Sequence, residues 1–123
     1  MQENSMGTFS VTIEVGGLEG QRFEELEALV DTGATTTVVP ASIMSGLGIT
    51  PTSRQTFEYA SGAQVELDMA QAIIKVEGRE TITWVIFGEE AGGALLGAYT
   101  LEGVFLGVDS YNRRLIPVRG VLK

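Results

Sequence analysis

The sequence predicts a mainly β protein, a single-domain closed or nearly closed β-barrel with one short helix. Three observations lead to this prediction: apolar residues alternate with polar ones along most of the chain, turn residues separate about eight such runs, and a single stretch has helix-boundary residues at both ends. A chain of 123 residues is long enough for one core and too short for two ordinary domains. We expect the domain to span residues 7–123, after a flexible tail at residues 1–6.

The first two predicted strands lead to an aspartate. Apolar and polar residues alternate over residues 9–15, glycines then indicate a turn, and a second strand is predicted over residues 21–30. The last three residues of that strand are apolar, and Asp31 follows directly. A position where a buried strand meets a turn is unusual for a charged residue.

The only predicted helix covers residues 40–48. It begins at Pro40 and ends at Gly48, which is the usual placement of these two residue types at helix ends. The five residues before it, 35–39, are all β-branched and predict a strand.

The rest of the chain is predicted to form strands joined by short turns. Residues 57–69 indicate a hairpin, with small residues at its tip in positions 60–63. Further strands are predicted at residues 72–76, 81–87, 94–97, 104–109 and 115–118.

The composition argues against several classes of function. A net charge of −8 opposes the phosphate neutralisation that nucleic-acid binding requires, so we expect no nucleic-acid partner. No apolar run approaches the roughly 20 residues of a membrane span, and the N-terminus lacks the features of a signal peptide. We therefore expect a cytoplasmic protein that does not contact membranes.

The chain contains no His and no Cys. This removes disulfides, thiol catalysis, His-based triads and nearly all zinc chemistry, so neither a metal site nor a cofactor is expected. In an enzyme of this composition, carboxylates are the natural proton-transfer groups near neutral pH. The three aspartates are Asp31, Asp68 and Asp109.

The triplet Asp31-Thr32-Gly33 is short, and its surroundings make it informative. It follows an apolar strand and precedes Ala34 and the β-branched run. About 60 residues later, the apolar pair Leu95-Leu96 meets Gly97. With these features, residues 9–118 resemble the retropepsin-like aspartic proteases, a family that includes the retroviral proteases.

The resemblance implies a barrel of the retropepsin type and a role for each residue of the triplet. Asp31 would be catalytic. Thr32 would hydrogen-bond across a dimer to hold two active-site loops together, and Gly33 would keep the loop open to substrate.

The resemblance also implies a flap, a hairpin at residues 57–67 that closes over a bound peptide. Small residues at its tip suit a loop that opens and closes. Six residues are expected to contact substrate: Ala34, Tyr59, Ala60, Ser61, Gly62 and Ala63. The peptide would bind as an added strand, with its side chains in pockets lined by residues such as Ile82, Trp84 or Ile86.

Proteases of this type need two carboxyl groups. Like charges about 3 Å apart cannot both ionise, so one carboxyl stays protonated while the other acts as a base. A single-domain chain with one Asp-Thr-Gly supplies only one carboxyl. The resemblance therefore predicts an endopeptidase that is active as a homodimer, with one Asp31 per subunit, a polypeptide substrate and no metal or cofactor.

Other interpretations stay open at this point. The triplet is compatible with an ordinary polar turn, and residues 57–67 with a plain surface hairpin. No Thr-Gly follows Asp109, for which we expect a structural or solvent-facing role. The glutamates of residues 24–27 are expected on a solvated strand edge rather than in a cation site. For function, the alternative is a catalytically weak or inactive retropepsin-like module for dimerisation or peptide binding.

Overall fold

The computed structural model of the protein describes residues 8–122. The predicted tail at residues 1–6 lies outside this range, as do Gly7 and Lys123. The strands in the described range are β1 (Ser10–Gly16), β2 (Phe23–Val30), β3 (Thr37–Pro40), β4 (Ser53–Glu58), β5 (Gln64–Val76), β6 (Arg79–Gly88), β7 (Ala94–Leu96), β8 (Leu106–Asp109) and β9 (Arg114–Pro117). The helices are α1 (Ala41–Gly46) and α2 (Ala98–Gly103), and a 3₁₀ turn covers Glu90–Gly92.

Six strands close into a barrel. Their order is β1-β2-β7-β3-β6-β5, and β5 returns to pair with β1. The closing pair is antiparallel and runs from Ile13 opposite Val76 to Gly16 opposite Ile73. β4 pairs with β5 and lies outside the closed ring. The prediction of a mainly β protein with a closed barrel is confirmed.

The barrel encloses apolar residues that alternate along its strands. Ile13, Val15, Ile74, Val76 and Val85 are fully buried. Burial of one such side chain stabilises the fold by about 1.5–3 kcal/mol. The alternation that predicted β1 therefore also identifies its inward face.

β5 is longer than predicted. The sequence predicted separate strands at 65–69 and 72–76, whereas one strand of 13 residues spans both. The predicted interruption falls at Ala70 and Gln71, and alanine has a low preference for strands. Pairing with β4 and then β1 on one edge, and with β6 on the other, overrides that local preference.

The prediction of a single helix is wrong, because α2 also forms. α1 confirms the predicted helix, and Gly48 beyond its end takes a positive φ of 77°. α2 is six residues long and contains Tyr99 and Thr100, which are weak helix formers, so its sequence carries little local signal. A helix this short depends on packing, here against β6 and β8. Within residues 8–122, no helix is long and apolar enough to span a membrane.

The C-terminal strands β8 and β9 form a separate antiparallel pair. Arg79 at the start of β6 anchors the approach to this pair, since its Nη1 donates to the carbonyls of Val104 (2.9 Å) and Phe105 (3.0 Å). Phe105 has a φ of 58°, an uncommon conformation for a bulky residue, and these contacts hold it there.

Candidate active site

Asp31 lies directly after β2, at the start of a loop that leads to β3. We call residues 31–36 the Asp31 loop. The backbone N–H of Asp31 donates to the carbonyl of Leu96 (3.1 Å), and its own carbonyl accepts from the N–H of Ala34 (3.1 Å). Its Oδ1 accepts a hydrogen bond from the N–H of Gly33 (3.0 Å), which makes an Asx-type turn. The side chain is thus oriented by its own loop while the residue stays partly exposed.

Strand β7 holds both ends of the Asp31 loop. It lies between β2 and β3 in the sheet. It runs parallel to β2, with Leu96 opposite Val30, and it meets β3 where Leu95 lies opposite Val38. The two halves of the loop are therefore fixed to one three-residue strand.

The start of α2 holds the middle of the loop. The N–H of Ala98 donates to the carbonyl of Ala34 (2.9 Å), and the N–H of Tyr99 donates to the carbonyl of Thr35 (3.0 Å). These bonds satisfy two of the N–H groups that a helix leaves free in its first turn. Loop and helix thereby stabilise each other.

Gly97 permits the closest approach between these segments. A Cβ at this position would lie 2.7 Å from the carbonyl carbon of Thr36 and 2.9 Å from the nitrogen of Thr37. Backbone atoms cannot move aside as a flexible side chain can, so the position requires glycine. The N–H of Gly97 donates to Oγ1 of Thr37 (3.0 Å). That hydroxyl also lies 2.6 Å from Oγ1 of Thr100.

The predicted flap is an antiparallel hairpin of β4 and β5, in register from Ser53 opposite Met69 to Glu58 opposite Gln64. We call residues 59–63 the hairpin tip. The N–H of Tyr59 donates to the carbonyl of Ala63 (2.8 Å), and Gly62 at a φ of 94° closes the turn. Residues 60–63 are exposed.

A cavity of about 260 Å³ lies between the Asp31 loop and the hairpin. Volume alone does not distinguish it, since a surface depression of about 400 Å³ lies beside Arg22 and Ser42. The position of the 260 Å³ cavity distinguishes it, because this cavity borders both the Asp31 loop and the hairpin. Its lining residues are Gly33, Ala34, Thr35, Thr36, Val38, Phe57, Glu58, Tyr59, Val65, Leu67 and Ile86.

The structure places some of the predicted contact residues at this cavity and leaves others outside it. Ala34 and Tyr59 line it, together with Ile86. Residues 60–63 lie at the exposed tip and do not border it. Ile82 and Trp84 are 59% and 39% exposed, and they lie elsewhere along β6.

Sequence reasoning missed several residues of the cavity. Phe57, Val65 and Leu67 line it from the hairpin, and Val38 lines it from β3. The three hairpin residues share one face because Phe57 pairs with Val65, and Leu67 is two residues further along β5. Their alternation with polar residues was the signal that could have identified them.

The other two aspartates are engaged outside the cavity. Asp68 forms an ion pair with Arg54 on the hairpin (2.7 Å). Asp109 accepts from the side-chain amide of Asn112 (2.7 Å) and lies 3.4 Å from Arg114. The bonds from Asn112 lower the pKa of the Asp109 carboxyl below its ordinary value, and Arg114 adds to this. Asp109 therefore has a structural role, as expected.

The glutamates of β2 form no metal site. Glu24, Glu25 and Glu27 are exposed along the strand. Across residues 8–122, no group of acidic side chains is placed to hold a metal ion. The Asp31 carboxylate is thus oriented by a loop whose residues 33–36 line a largely apolar cavity, while Asp31 and Thr32 themselves are not among the lining residues.

The sequence profile of the family described as "gag-polyprotein putative aspartyl protease" matches residues 11–103. The chain belongs to this family. The match runs from β1 to the end of α2, so this aspartic protease segment contains the Asp31 loop, the hairpin and Gly97. The retropepsin-like resemblance is confirmed, and the β8–β9 pair lies beyond the matched range.

A solved structure shares the fold of this retropepsin-like chain. The solution structure of simian foamy virus (mac) protease superposes with a TM-score of 0.55 at 22% sequence identity. The alignment covers 76% of this chain and 92% of the viral chain. No curated protein matches the chain.

Proposed function

We propose that the protein is an aspartic endopeptidase that is active as a homodimer and hydrolyses peptide bonds in extended polypeptide. The observation that supports this most is the setting of Asp31. Its carboxylate is oriented by the N–H of Gly33, its loop is held by β7 and α2, and the loop borders an apolar cavity covered by a hairpin. A surface turn would need none of these supports.

The proposed reaction needs the Asp31 of a second copy. Asp68 and Asp109 are engaged elsewhere, and Glu58 is the one acidic residue among those that line the cavity. In the dimer, two Asp31 carboxyls lie close enough to hold one proton between them. The ionised carboxyl removes a proton from water, and the protonated one polarises the scissile carbonyl.

The surface around Asp31 suits contact with a second copy. Thr32 is exposed beside it, which leaves its hydroxyl available for the bond across the dimer. Leu29, two residues before Asp31, is 40% exposed, and Tyr99 at the start of α2 is 60% exposed. Covering apolar side chains of this size is the usual source of stability in a homodimer interface.

The proposed substrate is an unfolded or extended segment of polypeptide. An extended peptide can exchange main-chain hydrogen bonds with the hairpin, while its side chains enter the cavity. The cavity presents Phe57, Val65 and Ile86, so apolar side chains are expected to fill it. The exposed hairpin tip would close after binding and exclude water.

The test follows the mass of the protein in solution and its cleavage of a denatured protein at mildly acidic pH, both as a function of chain concentration. We expect activity to rise with the dimer fraction and to be blocked by a statine-type transition-state mimic. The control is Asp68→Asn, which alters an aspartate outside the cavity and should remain active. Activity that tracks a monomer would contradict the dimeric site, and tight binding of the mimic without any cleavage would indicate the inactive module instead.

A further inference from the structure

Thr37 and Thr100 are the two fully buried polar side chains among residues 8–122. Their hydroxyl oxygens lie 2.6 Å apart, and that of Thr37 also accepts the N–H of Gly97 (3.0 Å). One threonine begins β3 and the other lies in α2, 63 residues further along the chain. The pair therefore connects the end of the Asp31 loop with the helix that supports it.

Stability alone does not require the bond between the two hydroxyls, although the hydroxyl of Thr37 also satisfies the N–H of Gly97. Replacing both partners of a buried hydrogen bond by apolar groups of the same shape is often nearly neutral, and valine has the shape of threonine. A buried polar pair adds direction, because a hydroxyl accepts and donates only at certain angles, whereas apolar side chains can slide past one another. The pair is thus suited to fix the position of two segments relative to each other.

The surrounding contacts show which position is fixed. Residues 96–99 bind the Asp31 loop and Thr37 one after another, through the carbonyl of Leu96 and the N–H groups of the next three residues. The first of these bonds holds the backbone N–H of Asp31 itself. A shift of α2 along the loop would change all of these contacts together.

We propose that Thr37 and Thr100 are positioning residues for the reaction: their hydroxyl pair sets the register of the Asp31 loop against α2 and so the orientation of the Asp31 carboxyl. This inference rests on the proposed function, because its main readout is the rate of peptide cleavage. Neither threonine touches substrate, since both are fully buried.

The experiment compares Thr100→Val, Thr100→Ser and the double variant T37V/T100V with the wild type. We expect Thr100→Val to lower kcat by about 10- to 100-fold with little change in KM, because a small displacement of a catalytic group costs rate rather than ground-state binding. Thr100→Ser, which keeps the hydroxyl, should recover kcat to within about threefold of the wild type. The double variant should fold with a moderate loss of stability, because the N–H of Gly97 loses its acceptor, and it should stay slow, because the apolar pair fills the space without fixing the register.

The matched control is Val76→Ala, which opens space in the barrel core beside the turn between β5 and β6. It should lower the unfolding temperature while kcat per folded chain stays near that of the wild type. The inference is overturned if Thr100→Val keeps kcat within about twofold of the wild type, or if Thr100→Ser is as slow as Thr100→Val.

Three further outcomes complete the test, and the last two separate this inference from the proposed function. If Thr100→Val does not fold, Thr100→Ser and Thr100→Ala decide, since only the variant with a hydroxyl should keep its rate. If the wild-type chain itself cleaves nothing at any concentration, the proposed function fails and this inference fails with it. An active wild type beside an equally active T37V/T100V overturns the positioning role alone.

Discussion

The two sides of the cavity differ in how firmly they are held. The Asp31 loop is bound by β7, by the first turn of α2 and by the close approach of Gly97. The hairpin tip is closed by its own backbone bonds and by one bond from the N–H of Ala63 to the hydroxyl oxygen of Ser61, and residues 60–63 are exposed. Segments with few buried contacts open at low cost, whereas packed ones do not. We call the Asp31 loop with its supports the fixed side and the hairpin the covering side. The proposed chemistry would lie on the fixed side, and the proposed closing motion on the covering side.

The largest effect on cleavage is expected when the carboxylate of Asp31 is removed. Asp31→Asn should reduce cleavage on the order of a thousandfold, because an amide can neither accept the proton of water nor share one with the partner carboxyl. The amide oxygen can still accept the N–H of Gly33, so we expect folding and dimerisation to persist. Cleavage rate, unfolding temperature and mass in solution are the measurements, and undiminished cleavage would disprove the assignment of Asp31.

The second-largest effect is expected at Gly97, where the backbone packs closely against the Asp31 loop. Gly97→Ala places a Cβ 2.7 Å from the backbone of Thr36, which should destabilise the fold by about 1–3 kcal/mol and lower kcat as well. The matched control is Gly92→Ala, where a Cβ meets nothing within 4 Å. Urea unfolding and kcat would be compared. Equal losses in the two variants would show that the loop is not held where we describe it.

A smaller effect is expected on the covering side. Gly62 has a φ of 94°, so Gly62→Ala strains the hairpin tip and should raise KM several-fold while global stability changes by about 1 kcal/mol or less. Gly78 has a φ of 80° in the turn between β5 and β6 and provides a control with similar strain away from the cavity. If Gly78→Ala raises KM as much as Gly62→Ala, the tip has no special part in substrate binding.

The smallest expected effect is on stability and concerns a contact away from the cavity, between Ser42 and Glu90. The hydroxyl and the N–H of Ser42 in α1 donate to the carboxylate of Glu90 (2.6 and 2.9 Å). Both bonds lower the pKa of the Glu90 carboxyl below its ordinary value of 4.5, and the bond from the hydroxyl has the larger effect. The folded state thus binds this proton less readily than the unfolded state. The contact stabilises the fold above about pH 4.5, and the contribution is lost as pH falls through the lowered pKa.

Glu90→Gln should therefore be slightly less stable than the wild type near pH 7, and the difference should vanish once the pH has fallen below the lowered pKa of Glu90. Ser42→Ala should show the same pH dependence, and the double variant should add little to either single one. KM and kcat should not change. A difference in stability that persists at low pH would contradict this explanation.

Much of the fixed side could be predicted from the sequence, because its signals are local. An aspartate between an apolar strand and Thr32-Gly33 is visible in a few residues, and so is the apolar pair before Gly97. The strand alternation that predicted the barrel is local as well. The pairing of Thr37 with Thr100 was not predictable, because it depends on contact between residues 63 positions apart.

The covering side was predicted less completely. The hairpin itself follows from alternation around small residues, but the continuity of β5 depends on pairing that overrides the alanines. On the fixed side, the short helix α2 was missed because packing rather than propensity forms it. The cavity is lined by Val38 and Ile86 from distant strands together with the hairpin face, and only the closed barrel brings these together.

The central claim is that one active site takes Asp31 from two chains, and mixing tests it most directly. Wild-type chains are combined with about a ninefold excess of Asp31→Asn chains at a concentration where the protein is dimeric, and cleavage per wild-type chain is measured. Random pairing leaves roughly a tenth of the wild-type chains with a wild-type partner, so the account predicts that cleavage falls to about that level. Cleavage that stays the same after mixing would mean that each chain works alone, which contradicts the account.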